Sequence, residues 1–284
     1  SEKMKNKKTG NKFANDVFTL LTLSLLFIVL LVEVFTPFVV YLIAPGFYSD
    51  LEKYDLAIEL TRITFPFLLF VSLSSFFSGI LNSNNKFAAA AAAPIILNVV
   101  LIFTLFTSYI FKLEFAKNLS YGVTFAGVVQ LLFLIFFTRK YYKPNFNFKF
   151  RISKKIKFFL KKLFPSIFSS GVTQINILVG TIIASFESGA VSYLYYADRV
   201  YQINLAIAGI AVSTVSLPAL SRSLKKKNFF KINKIQNLSL ELSLLLSIPA
   251  SLGLIIAHEE IINALFGYGS FSEENIKMTS QALK

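Results

Sequence analysis

Seven stretches of this chain are each long and apolar enough to cross a lipid bilayer: roughly 17–43, 62–81, 88–111, 119–138, 164–186, 190–218 and 235–257. A hydrocarbon core of about 30 Å needs about 20 mostly apolar residues in helical form. Lipid offers the backbone no hydrogen-bond partner, so a crossing segment must be a helix or part of a closed barrel. The pattern predicts an all-α, polytopic membrane helix bundle with about seven transmembrane helices. Prolines 66, 94 and 249 fall inside spans, where neighbouring groups can take up the freed carbonyls. Pro165 stands where a helix would begin.

Composition narrows the chemistry. Only 15% of the 284 residues are charged, too little polar surface to cover a soluble core. Cysteine is absent, which excludes disulfides, thiolate metal sites and thiol nucleophiles. A single histidine, His258, excludes a histidine-based metal cluster, so no metal and no cofactor is expected. Walker A, HExxH and nucleophile-elbow patterns are missing, as is a paired-aspartate motif. A transporter fits better than a membrane glycosyl- or acyltransferase, which would need acidic or histidine groups in its interfacial loops.

The net charge of +14 raises the question of nucleic acid. Its distribution answers it. Taking alternate connections as two sides, residues 1–15, 82–87, 139–163 and 219–234 carry 22 of the 29 Lys and Arg. The opposite side, 44–61, 112–118, 187–189 and 258–284, carries five, and Arg62 and Arg199 lie within spans. Segregation by loop is what the positive-inside rule describes, so the first set is expected in the cytoplasm and no nucleic acid is expected as a partner. The start of the chain is then cytoplasmic and its end lies on the far side. Residues 151–163 add apolar positions at helical spacing among five lysines, the pattern of an amphipathic helix on an anionic leaflet. The basic start has no signal-peptide character, and the chain reads as a piece of a larger protein.

Ionisable groups at membrane depth are costly and mark function by default. Asp198 and Arg199 lie eight and nine residues into their span, about 12–14 Å along the helix axis. Arg199 is permanently charged and its planar fork suits a phosphate. A phosphate or anion site and a buried ion pair with another helix are both open readings. Glu33 lies inside the first span with no local partner in sequence, and Arg62 opens the second. Asn98 and Gln174 are further substrate-binding candidates, while Gln130, Asn176, Ser213 and Thr214 suit helix-to-helix hydrogen bonds.

Several stretches resemble, in order, the MurJ (MviN) family of lipid II flippases. They are Ala44-Pro45-Gly46-Phe47; Arg62 to Phe67; Gly79 to Ser83 with Phe87; Ala91-x-Ala93-Pro94 with Asn98; Tyr195-Tyr196-Ala197-Asp198-Arg199; Leu217-Pro218 with Leu220-Ser221; and Leu265-Phe266-Gly267-x-Gly269-x-Phe271. The series runs through nearly the whole chain. The resemblance implies a place in the multidrug/oligosaccharidyl-lipid/polysaccharide exporter superfamily, with two lobes around a central cavity and fourteen helices in MurJ. Residues 1–150 would hold the rest of the N-terminal lobe with four spans, and residues 151–284 the start of the C-terminal lobe. It further implies a bacterial inner-membrane protein, functional as a monomer. Such a protein moves undecaprenyl-pyrophosphate-linked disaccharide peptide (lipid II) from the inner to the outer leaflet by alternating access. Its partners would be lipid II and membrane lipids. A related exporter of another lipid-linked saccharide or a drug is the alternative. Arg199 matches the family's cavity arginine. Ala90 stands where the family often has proline. Gly180 stands where some relatives carry a carboxylate thought to bind sodium, which argues against sodium coupling through that position.

Overall fold

The computed structural model describes residues 7–146, 154–225 and 228–284. Of the described residues 87% are helical, and none lies in a strand. Among the described residues six helices are long and apolar enough to cross a membrane, or seven if one bent helix counts as a span. The chain divides into two compact units, Ser1–Ile182 and Ile183–Lys284.

In the first unit, α1 (Lys7–Val34) supplies a span over Gly10–Val34 and is followed at once by α2 (Thr36–Ile43). The single span expected over 17–43 is thus divided and begins earlier. Pro37 causes the division, because it has no N–H to offer the Glu33 carbonyl. The Thr36 hydroxyl takes its place, donating to the carbonyls of Val32 (2.8 Å) and Glu33 (3.0 Å).

A short 3₁₀ turn (Pro45–Ser49) leads to α3 (Leu51–Thr64). Residues 51–61, expected as a connection, are helical instead. Asp50 starts the helix by accepting from the Lys53 backbone N–H, and Glu52 complements the N-terminal dipole. With α4 (Phe67–Ser83) it makes one span, Leu51–Ser83. Pro66 separates the two helices, and the Thr124 hydroxyl donates to the Ile63 carbonyl at the break.

α5 (Phe87–Phe111) continues through Pro94, and α6 (Phe115–Thr138) packs against α3, α4 and α5. Small residues permit that approach. A Cβ at Gly127 would stand 2.7 Å from the Phe67 ring and 3.0 Å from Cβ of Phe70. Asn118 of α6 donates to the Ser108 hydroxyl of α5 (2.5 Å). A buried cluster of Phe18, Leu25, Leu73, Phe77, Leu81, Ala93, Leu134 and Tyr142 joins α1, α4, α5 and α6 at the Lys/Arg-rich end. Tyr142 donates to Asn15 Oδ1 (2.7 Å), and burial pushes its phenol well above the usual tyrosine range.

α7 (Lys154–Ala184) merges two elements that the sequence suggested were separate, the basic segment 151–163 and the span 164–186. Residues 151–153 lie outside those described. Pro165, expected at a helix start, lies inside this helix, and beyond it the axis bends: Ile156–Ile167 and Gly171–Ala184 meet at 45°. Phe159 stacks edge-on against Phe13 of α1 (6.0 Å), and Ile156 is fully buried.

The second unit contains α8 (Ala190–Leu205), a π-helical turn (Ala206–Ala211) and α9 (Val212–Lys225). Together they form a 35-residue span, Ala190–Leu224, longer than the 190–218 expected. α10 (Phe229–Ile256) likewise starts before 235, because Asn228 caps it by accepting from the Lys231 N–H (3.0 Å). The stretch after 257 contains two further helices, α11 (His258–Phe266) and α12 (Glu273–Leu283). Gly189 precedes α8 at φ +77, a conformation that glycine adopts without strain, and a Cβ there would meet the Tyr193 ring at 2.8 Å.

Candidate functional site

α8 places Asp198 and Arg199 within its span, and their surroundings come from the same helix. Residues three and four apart share a helix face. Gln202 is four residues after Asp198 and three after Arg199, and it bridges them. Its Nε2 donates to Asp198 Oδ2, while Arg199 Nη1 donates to Gln202 Oε1 (3.4 Å). Tyr195, four residues before Arg199, lies under the guanidinium with its ring centre 4.5 Å from Cζ. Stacking on an aromatic face holds the planar group without neutralising it.

Asp198 is half-buried and Arg199 is exposed. Among the described residues neither makes an ion pair, so the buried cross-helix pair is not what this structure contains. The aspartate is engaged by an amide, and the arginine keeps its charge with most of its N–H groups free to donate. Such a group can offer an anion a bidentate contact. Sequence reasoning missed Gln202 and Tyr195 as members of the site; their i+3 and i+4 spacing was the available signal.

Contacts of the same helix join two of the motifs singled out in the sequence. Tyr196 packs against Phe266 (5.0 Å) and Phe271 (5.4 Å), bringing the Tyr195–Arg199 motif to the Leu265–Phe271 motif. Tyr193 donates to Asn275 Oδ1 of α12 (3.1 Å). α8 is thus fixed on one side by α11, α12 and the turn between them, while Arg199 remains exposed.

The other candidates belong to the first unit. Arg62 lies near the end of α3, Asn98 on α5 beyond Pro94, and Gln174 on α7, and all three are exposed. Among the described residues no hydrogen bond or ion pair joins them to one another. Arg62 has an electrostatic neighbour that sequence did not suggest: its charge acts on the carboxylate of Glu33, 29 residues earlier on α1. Glu33 Oε1 is buried without a hydrogen-bond partner among the described residues. Gln130 is buried on α6. Lys117 and Glu59 form an exposed ion pair between α6 and α3.

Comparison with known proteins places this geometry. The profile of the family described as "Lipid II flippase MurJ" matches residues 1–284. A probable lipid II flippase MurJ from Rickettsia prowazekii is 42% identical over 98% of this chain and 55% of its own length. One from Rhizobium tropici is 39% identical over 96% of this chain and 52% of its own. The chain therefore spans about half the length of the curated relatives it matches. Among solved structures, a lipid II flippase MurJ in an inward closed conformation superposes with a TM-score of 0.82 at 30% identity, covering 97% of this chain and 57% of that one. An inward-facing multidrug transporter of the MATE family, in the MOP superfamily, shares the fold at a TM-score of 0.67 and 17% identity, covering 97% of this chain and 64% of that one.

Proposed function

The chain belongs to the MurJ family of lipid II flippases, a multi-pass bacterial membrane family, and on that premise we propose that it serves as one part of a lipid II flippase. In this reading the whole protein moves an undecaprenyl-pyrophosphate-linked disaccharide peptide from the inner to the outer leaflet by alternating access. Arg199 is the residue that contacts the pyrophosphate. The observation that carries the reading is an arginine within a membrane span, stacked on Tyr195 and hydrogen-bonded to Gln202, with no carboxylate paired to it among the described residues. A pyrophosphate leaving water needs fixed positive charge in exchange, because a bare anion in low dielectric is prohibitively costly. Asp198 keeps Gln202 in place and so orients the guanidinium.

Arg62, Asn98 and Gln174 are proposed as further contacts for the polar headgroup as it passes. Residues 1–150 complete an N-terminal lobe and residues 151–284 begin a C-terminal one. The basic start of α7 rests on the anionic cytoplasmic leaflet. The beginning of the chain lies in the cytoplasm and Lys284 on the periplasmic side, from the 22-to-5 bias of Lys and Arg. The protein works as a monomer. It acts as a transporter and catalyses no covalent step.

The test uses the full-length gene in a bacterium depleted of its own flippase. Arg199→Ala should abolish growth while membrane abundance stays near normal. Arg199→Lys, which keeps the charge and loses the fork, should restore it in part. Normal growth with alanine at 199 would remove the residue from the mechanism. Single cysteines at Lys155 and Ser188 test orientation: an impermeant thiol reagent should label 188 and spare 155 in intact cells.

A further inference from the structure

The span that carries Arg199 is not a regular helix. Between α8 and α9 the backbone makes a π-helical turn over Ala206–Ala211. A π-turn closes i→i+5 bonds and holds one residue more than an α-turn, and each residue of an α-helix advances about 100° around the axis. The turn therefore sets which way the Asp198–Arg199 face points relative to α9. It begins seven residues after Arg199, two turns of helix away.

α10 is hydrogen-bonded to this irregularity and to the helix that follows it. On α9, the hydroxyls of Ser216 and Ser239 are hydrogen-bonded (2.6 Å). At the π-turn, the Ser243 hydroxyl donates to the carbonyl of Ala208 (3.1 Å). A serine inside a helix ordinarily bonds back to the carbonyl four residues earlier, as Ser239 does to Ile235 (2.7 Å). The hydrogen bond of Ser243 instead crosses to the neighbouring helix, to a carbonyl within the wide turn. A carbonyl left unsatisfied there would face a medium that offers no replacement donor.

We propose that Ser243 is a positioning residue for Arg199. By holding the Ala208 carbonyl it fixes the π-turn, and through the turn the rotation of the α8 face that presents the guanidinium. The proposal rests on the reading of Arg199 as a phosphate contact, and it adds a residue on another helix that acts through the backbone alone.

The test uses the full-length protein with Ser243→Ala, Ser243→Thr and Ser239→Ala, with abundance measured throughout. Rotation is read from impermeant-reagent labelling of single cysteines placed at Val191, Leu194, Tyr201, Ile203 and Leu205, none of them in the proposed site. Ser243→Ala should shift this pattern around the helix and lower export of the lipid-linked precursor about tenfold, the scale of one lost buried hydrogen bond. Ser243→Thr should restore both. Ser239→Ala, on the same interface but away from the turn, should change neither. Deleting Gly209, which leaves a regular α-helix, should move the pattern by about 100°. An unchanged pattern in Ser243→Ala overturns the proposal, as does a loss of export that threonine fails to rescue. Should Arg199→Ala export normally while Ser243→Ala still shifts the pattern, the orienting role stands and the phosphate reading falls.

Discussion

The two units of this chain hold their helices together by different means. Burial in the first unit centres on α6, where 33% of the most apolar stretch is buried, against 6% in α5 of the same unit and none in α10 of the second. The first unit has cross-helix hydrogen bonds too, Asn118 to Ser108 and Thr124 to Ile63, but adds side-chain volume: a shared apolar cluster and a glycine seam where α6 meets Phe67 and Phe70. The second is organised through hydrogen bonds and aromatic contacts: Ser216 with Ser239, Ser243 with Ala208, Tyr193 with Asn275, and Tyr196 with Phe266. Lipid tails are as apolar as leucine, so burying a leucine between membrane helices gives little driving force, and close packing and polar contacts must supply it. Close packing over many atoms resists deformation. A few directed hydrogen bonds set an orientation while leaving most of the helix surface free. The contrast predicts that substitutions in the glycine seam act on stability, and that substitutions around Arg199 act on how its charge is presented.

The largest effect should come from filling the seam. Gly127→Leu would force a branched side chain into space already occupied by Phe67 and Phe70. Overpacking of this kind costs about 1–3 kcal/mol or more. Membrane abundance and thermal stability in detergent should fall clearly, and export should fall in proportion to abundance. A stable, abundant Gly127→Leu protein would show that the first unit is not held by this seam.

Gln202→Ala probes the other side of the comparison. It removes the amide that joins Asp198 to Arg199 and leaves in place the contacts of Tyr193 and Tyr196 to α11 and α12. Export per molecule should drop about tenfold, equivalent to about 1.4 kcal/mol of lost positioning, while abundance and melting stay as in the parent. A fall in abundance equal to the fall in export would place Gln202 among the structural residues and erase the distinction drawn here.

How far these features were legible in the sequence follows from their range. Spans announce themselves by hydropathy, so their number and rough positions could be read directly. Helix ends depend on single caps: Asp50 and Asn228 each extended a helix beyond the apolar stretch that marked it. The division at Pro37 and the bend between Pro165 and Gly171 had visible causes, but sequence alone does not say whether a proline in a membrane helix breaks it, and Pro94 does not. In the site, Asp198 and Arg199 stood out because charge in a span is rare. Gln202 and Tyr195 were within reach of i+3 and i+4 reasoning. The neighbourhood of Glu33 and Arg62 and the bond from Ser243 to Ala208 join residues 29 and 35 positions apart, and no periodicity encodes them. The π-turn itself, Ala-Ile-Ala-Gly-Ile-Ala, reads as ordinary span.

The smallest predicted difference compares one tyrosine hydrogen bond from each unit. Tyr142 is buried, 3% exposed, and donates to Asn15 from inside the first unit's cluster, whereas Tyr193 is half-buried and donates to Asn275. Replacing either by phenylalanine removes a hydroxyl and keeps the ring. A bond made by an enclosed hydroxyl costs about 1 kcal/mol to lose; one made by a half-buried hydroxyl, which water can replace, costs less than about 0.5 kcal/mol. Tyr142→Phe should therefore lower the melting temperature measurably and Tyr193→Phe should not. The pH dependence separates them again. Burial raises the Tyr142 phenol above its unfolded value, so the native state keeps a proton that the unfolded state has released. The stability due to this difference is fully present below the ordinary tyrosine range and is lost as the pH climbs through and above it. Tyr142→Phe should abolish that decline, leaving a flatter alkaline profile. Equal losses from the two substitutions, with equal alkaline profiles, would mean that the second unit is as well sealed as the first.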